Sequence, residues 1–243
     1  MGIVRIYVNH SLLSRECVAL PPDGAHHVAR VLRMRPCDPL VLFNGRGGEY
    51  SARIHSIGDS SVTAEIGARR QVERESPLAI TLAQGISRGE RMDYTIQKTV
   101  ELGVSRIIPL LTERVSVRLD ERRQQKRLDH WRKILIHACE QCGRNRVPEL
   151  TPVADFTSWI DEPRAGLKLI LDPNTQTSFA SLDAPAGVVT LLVGPEGGLS
   201  QHERHRVEAA GYRAVGLGPR VLRSETAAVV AVSALQILFG DLK

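Results

Sequence analysis

Val188-Val189-Thr190-Leu191-Leu192-Val193-Gly194-Pro195-Glu196-Gly197-Gly198-Leu199-Ser200 is the stretch whose reading decides the fold. An apolar run of buried-strand type ends in a glycine- and proline-rich turn, and the turn ends where a helix can start. The pattern recurs at Val215-Gly216-Leu217-Gly218-Pro219-Arg220-Val221-Leu222-Arg223-Ser224-Glu225-Thr226. Between strand and helix, Gly and Pro let backbone N–H and C=O groups approach a ligand with no Cβ in the way. Two such loops, close in sequence, can face one another and form a single pocket.

Outward from these loops, the chain from residue 78 onward alternates strand and helix. Residues 78–84 read as a strand. Met92, Ile96 and Val100 recur at four-residue steps, which predicts an amphipathic helix over residues 88–103 that stops at Gly103. Residues 104–110 form the next strand. Leu128, Trp131, Leu135, Ala138 and Cys142 give a second helical stripe. Residues 167–171 and 188–193, and the shorter 214–217, read as buried strands. Ser200-Gln201-His202-Glu203 is a capping box, and Ser224 is expected to cap the last helix, apolar over residues 227–239. This alternation predicts an α/β domain with a mostly parallel sheet covered on both faces.

Residues 1 to about 70 read differently, as short strands at 3–8, 39–43, 49–57 and 61–66 separated by turns. Asn44-Gly45-Arg46-Gly47-Gly48 is the strongest turn signal, and the spacing predicts a compact barrel. The charged stretch Arg69-Arg70-Gln71-Val72-Glu73-Arg74-Glu75-Ser76-Pro77 marks the boundary, giving domains at 1–72 and 73–243.

The 243 residues carry a net charge of +5, rich in arginine, which suits a polyanionic partner. With four Phe and four Tyr, base stacking on many aromatic platforms is not expected, so nucleic acid would be held by Arg and Lys on phosphates. No apolar run reaches the ~20 residues of a bilayer span, and the start lacks a signal-peptide pattern, so a cytoplasmic protein is expected. Arg30 and Arg33, with Arg5, can share a surface that contacts RNA or is merely solvated. Gly143-Arg144-Asn145-Arg146 follows the second helical stripe and can grip phosphate or a flipped base. Cys139-Glu140-Gln141-Cys142 has C-x-x-C spacing but no second pair, so no metal is expected and free thiols on a packed helix are.

Neither glycine loop fits a familiar phosphate cradle. Gly216-Leu217-Gly218 lacks the third glycine of a dinucleotide fingerprint, and neither loop contains Gly-Lys followed by Ser or Thr. Glu196 would repel a phosphate. An uncharged or cationic small molecule fits better.

Gly194-Pro195-Glu196-Gly197-Gly198-Leu199-Ser200 and Leu217-Gly218-Pro219-Arg220-Val221-Leu222-Arg223-Ser224-Glu225-Thr226-Ala227 resemble the signature of SPOUT-class RNA methyltransferases. With Gly85-Ile86-Ser87-Arg88-Gly89-Glu90-Arg91-Met92, Ile96-Gln97-Lys98, Glu101-Leu102-Gly103, Cys139–Asn145 and Arg30-Val31-Leu32-Arg33, the chain is similar to the RsmE family. These are bacterial 16S ribosomal RNA uridine-N3 methyltransferases. The resemblance implies a PUA-like RNA-binding barrel, then a SPOUT domain with a deep trefoil knot, a homodimer, and S-adenosylmethionine as cofactor. It implies a cofactor site of Leu171, Leu192, Gly194, Pro195, Glu196, Gly197 and Leu199 with Leu217, Gly218, Val221, Leu222, Arg223 and Thr226.

Uridine N3 must lose its proton before it attacks a methyl group. Arg144 and Arg220 are candidates to stabilise the resulting anion. Glu196 either accepts the proton, given a raised pKa, or only orders its loop by accepting backbone hydrogen bonds. Arg5, Arg30, Arg33, Arg88, Arg91, Lys98 and Arg146 would hold the RNA around an unpaired or extruded base. The alternatives are ribose 2′-O methylation on the same scaffold and a non-catalytic RNA-binding assembly factor.

Overall fold

The computed structural model describes residues 3–12, 16–59, 61–115 and 120–242. The chain divides into two compact units, Met1–Glu75 with Ile136–Val147, and Ser76–Leu135 with Pro148–Lys243.

In the first unit, β1 (Val4–Tyr7), β2 (Cys17–Ala19), β3 (Pro39–Phe43), β4 (Glu49–Ile57) and β5 (Val62–Arg70) form one sheet in the order β1-β3-β4-β5-β2. The β1–β3 pair is parallel and the rest antiparallel. Side chains alternate in and out along β4 and β5, so Ala52, Ile54, Val62, Ala64 and Ile66 meet Leu40 and Leu42 in the core. Helix α1 (Pro22–His26) runs into a π-helical turn, His27–Val31, that packs Val28 inward and leaves Arg30 exposed. Strand β2 is missing from the sequence reading, because three residues carry too little periodicity.

The stretch read as a domain boundary is structured. Arg69 and Arg70 end β5, longer than the expected 61–66 strand. After it, the Val72 carbonyl accepts from Asn145 Nδ2 at 2.6 Å, and Glu73 and Glu75 pair with Arg146 and Arg144.

In the second unit, β6 (Ala79–Gly85), β7 (Arg106–Leu111), β8 (Glu149–Leu150), β10 (Leu167–Leu171), β11 (Val188–Val193) and β12 (Arg213–Val215) lie in the order β12-β10-β11-β6-β7-β8, with β9 (Ala154–Asp155) beside β7. Every pair is parallel. Helices are α2 (Glu90–Glu101), α3 (Glu121–Cys142), α4 (Phe156–Asp161), α5 (Gln201–Ala209) and α6 (Ser224–Phe239).

Alternation along the strands separates two faces. Ala83, Ile108, Ile170 and Leu192 join Phe156, Trp159 and Val207 of α4 and α5. The neighbours Leu82 and Leu191, fully buried, point the other way. On that side Gln84 Nε2 donates to Ser224 of α6, and Gln236 of α6 donates to the Leu102 carbonyl after α2. The apolar stripe Met92, Ile96 and Val100 is buried there.

A local rule accounts for one of the two helix starts expected from sequence, and fails at the other. Ser200 and Glu203 form the reciprocal capping box at α5. Ser224 does not cap α6: Arg223 occupies the cap position without a side-chain cap bond, and Ser224 is the first helical residue. Its hydroxyl donates to the Gly194 carbonyl at 2.7 Å instead. A tertiary acceptor has taken it.

Candidate functional site

Parallel α/β sheets bind ligands beyond the carboxyl ends of their strands. Here a cavity of about 560 Å³ opens beyond β10, β11 and β12. Ile170 and Leu171 form its floor with Val193 and Val215, and the two glycine loops form its walls. Of the thirteen cofactor residues expected, Leu171, Gly194, Pro195, Glu196, Gly197, Leu199, Leu217, Gly218, Val221, Leu222 and Arg223 line it. Leu192 points into the α4–α5 core, and Thr226 is exposed on α6 without being part of the lining.

The loops are fixed from three sides. Gln84 Nε2 donates to Ser224 Oγ at 3.0 Å, and Ser224 Oγ passes the chain on to Gly194 O. Gly85 sits where a Cβ would lie 2.5 Å from Pro195 N, so only glycine lets β6 end against this loop. Arg114 Nη1 donates to Gly197 O at 3.0 Å from the far side. Gly218 adopts φ +92°, with open space where a side chain would begin.

Glu196 stands on the cavity wall with its Oε1 saturated. It accepts from the Arg88 backbone N–H and from Arg91 Nη1, both at 3.0 Å. Burial pushes its carboxyl up, but these donors and the Arg91 charge outweigh burial and hold it below the usual carboxylate range. A proton acceptor was expected to need the opposite shift. The geometry is that of a loop organiser.

Arg220 lines the cavity and is exposed. Arg144 belongs to the first unit, 3% exposed and forked onto Glu75. Arg5 is equally committed: Nη1 meets Glu49 at 2.6 Å, Nη2 meets Asn145 Oδ1 at 2.5 Å, and the guanidinium stacks over Phe43. Arg146 pairs with Glu73, and Lys98 with Glu101. Arg30, Arg33 and Arg88 are exposed. Arg118, one of eight Arg and Lys residues from Arg114 to Lys133 that read as a mostly solvated loop and helix face, lies outside the described residues.

Cys139 is fully buried, and burial pushes its thiol up to about 12. Among the described residues no group of three His, Cys, Asp or Glu side chains is placed to hold a metal ion, and no helix is long and apolar enough to cross a membrane.

Residues 74–236 match the family model described as an RNA methyltransferase domain, and residues 20–67 that of an RNA methyltransferase PUA domain. A Ribosomal RNA small subunit methyltransferase E of Buchnera aphidicola subsp. Schizaphis graminum is 36% identical over 241 residues, 99% of this chain and 98% of its own. The chain belongs to the ribosomal RNA small subunit methyltransferase E family.

A Neisseria gonorrhoeae methyltransferase E, solved bound to S-adenosylmethionine, has a TM-score of 0.92 at 40% identity over 100% of both chains. A Legionella pneumophila protein described as a methyltransferase, solved with the same cofactor, has a TM-score of 0.96 at 42% identity, again over 100% of both. The cavity also holds two groups that the sequence did not single out, and one that it placed elsewhere. Asp172 and Arg204 pair at 2.8 Å on the lining, and Arg91, assigned above to RNA, is part of the wall. Asp172 had a signal, since it directly follows a buried parallel strand. Arg204 had none, lying among other charges of α5.

Proposed function

We propose that this chain methylates N3 of a uridine in the 16S ribosomal RNA of the small subunit, with S-adenosylmethionine as methyl donor. The observation that carries the reading is the two-loop cavity at the carboxyl ends of β10, β11 and β12, in a chain of this family.

The cavity fits the cofactor. Its volume of about 560 Å³ lies within the ~300–1,000 Å³ of small-molecule sites. Apolar strand ends suit a flat base, the glycine loops offer backbone polar groups, and Glu196 puts negative charge near a cation. When bound, S-adenosylmethionine supplies a methyl group on a positively charged sulfur. The chain's own residues do the rest: Leu171, Leu217 and Leu222 exclude water, and the Gln84–Ser224–Gly194 chain holds the loops in register. Arg220 faces the cavity as a cation for the anionic uracil that deprotonation leaves.

Residues 1–72 carry RNA recognition in this reading and 73–243 the transfer, with exposed Arg30, Arg33 and Arg88 on phosphate. A deep trefoil knot is supported by the path after β12. Gly216 N–H donates to the Thr177 carbonyl at 2.8 Å, and the chain then reaches Ser224, bonded to Gly194 beyond β11. Val230, Ile237 and Leu238, exposed along α6, support a homodimer through that helix. The substrate implies a cytoplasmic protein.

The test uses small subunits from cells lacking the protein, incubated with the purified chain and methyl-labelled S-adenosylmethionine, then digested to nucleosides. Label in 3-methyluridine is the expected result. Label in a 2′-O-methylated ribose would overturn the base assignment, and no label at all would leave a binding protein.

A further inference from the structure

The first turn of α6 holds a buried carboxylate with one oxygen unpaired. Glu225 is 9% exposed, and its Oε2 has no hydrogen-bond partner among the described residues. Its Oε1 lies 3.8 Å from Arg91 Nε, beyond hydrogen-bond range. Arg91 uses Nη1 on Glu196, so one guanidinium faces two carboxylates and leaves a negative charge unmatched. The other group facing this turn, Gln84 of β6, donates to Ser224 and has no N–H left for Glu225, its second going to Gly85 O.

A buried carboxylate oxygen without a donor is costly. Glu225 is not itself part of the cavity lining, but Ser224 before it, Ala227 two residues on and Arg91 across from it are, so it lies directly behind the cavity wall. A ligand seated against that wall, with Arg91 displaced from Glu225, is the nearest source of the missing donor.

Uracil's Watson–Crick edge presents an N–H at N3 between two carbonyl oxygens. A guanidinium N–H beside a carboxylate oxygen complements half of that edge, N–H to carbonyl and oxygen to N3–H. Cytosine offers a lone pair at N3 and would set it against the carboxylate. We infer that Arg91 and Glu225 read the target base, with Glu225 Oε2 taking the N3 proton and Arg91 facing the adjacent carbonyl oxygen. This rests on the N3 reading above. The Arg91 side chain is 43% exposed and has room to swing off Glu225 as the base seats.

The step balances within these groups. The N3–H bond breaks with its proton going to Glu225. The N3 electron pair forms the bond to the methyl carbon, and the methyl–sulfur bond breaks with its pair staying on sulfur, which becomes a neutral thioether. Glu225 then returns the proton to water. Arg91 holds the charge that spreads onto the carbonyl oxygen before transfer. Glu196 keeps the loop role its donors give it.

The test compares the wild-type chain with E225Q and E225D in single-turnover methylation of unmodified small subunits, with calorimetric titration of S-adenosylmethionine and S-adenosylhomocysteine. E225Q is expected to slow transfer at least ~100-fold, the lower range for a lost general base. Both titrations should stay within about threefold of wild type, since the proton acceptor is not a cofactor ligand. Subunits reconstituted on rRNA made with 5-fluorouridine, whose N3 ionises more readily, should restore much of the E225Q rate. E225D should fall between the two. A wild-type rate in E225Q, no rescue by fluorine, or E225D as slow as E225Q would overturn the assignment. So would loss of S-adenosylmethionine binding with S-adenosylhomocysteine retained, which would make Glu225 a counter-ion to the sulfonium. If the wild-type product is not 3-methyluridine, the N3 reading itself fails, whatever Glu225 does.

Discussion

Arg144 Nε lies 3.0 Å from Glu75 Oε1 while its Nη2 lies 2.5 Å from Glu75 Oε2, a two-pronged ion pair with the arginine side chain only 4% exposed. This is a guanidinium spent on its own chain. Arg144→Ala strands Glu75 and should lower stability by about 3 kcal/mol, the scale for breaking a buried pair. Arg144→Lys should recover little, because an ammonium cannot make the fork. Guanidinium unfolding measures both. A stable Arg144→Ala chain that has lost methyl transfer would restore the catalytic role.

Glu49 ties Arg5, Arg70 and Arg74 together from a position 1% exposed. Burial pushes its carboxyl up, yet hydrogen bonds and charge from Arg5 and Arg70 win and hold it below the ordinary value of 4.5. A depressed folded value means stability that is complete above 4.5 and lost as pH falls through that folded value. Glu49→Gln should therefore lower stability at neutral pH by about 2 kcal/mol, the range for charged hydrogen bonds, and flatten the acid limb of the pH–stability curve. Equal curves for both proteins would contradict this.

Gly85 is required by contact, since a Cβ would stand 2.5 Å from Pro195 N and 3.0 Å from Gly194 C. Gly85→Ala must push back the first glycine loop or the end of β6. The expected cost is ~1–3 kcal/mol, as for other overpacked sites, with weakened S-adenosylmethionine binding in calorimetry. Unchanged affinity would show that the loop has slack.

Ile237, 59% exposed on α6, is the most exposed apolar residue of that helix. Ile237→Glu should convert a dimer to a monomer in sedimentation velocity while the circular dichroism stays that of the folded chain, because a surface charge is well solvated in the monomer. The melting temperature should fall only by the stabilisation that association supplied. A wild-type chain that sediments as a monomer would contradict the dimer.

The sheet was legible because buried parallel strands leave continuous apolar runs, and residues 188–193 keep their bounds in the structure. The glycine loops were legible because Gly and Pro mark a tight strand-to-helix turn. What escaped depends on distance in sequence. The bonding of Ser224 to Gly194, of Arg91 to Glu196, and of Arg144 to Glu75 joins residues 30, 105 and 69 apart, and no local pattern records such pairs. Arg5 and Arg144 looked like free cations because the acids that neutralise them, Glu49 and Glu75, lie far along the chain. The short elements β2, β8 and β9 are held by neighbouring strands rather than by their own composition.

The proposed function depends most on cofactor binding in the cavity between the two glycine loops. Leu222 is half-buried on its lining, so Leu222→Trp fills space without opening the core. Calorimetric titration of S-adenosylmethionine into wild type and Leu222→Trp reads this placement out. Saturable binding to wild type that is lost in a normally melting Leu222→Trp chain is the predicted result. Equal binding by both chains would contradict this placement and put the cofactor outside the cavity.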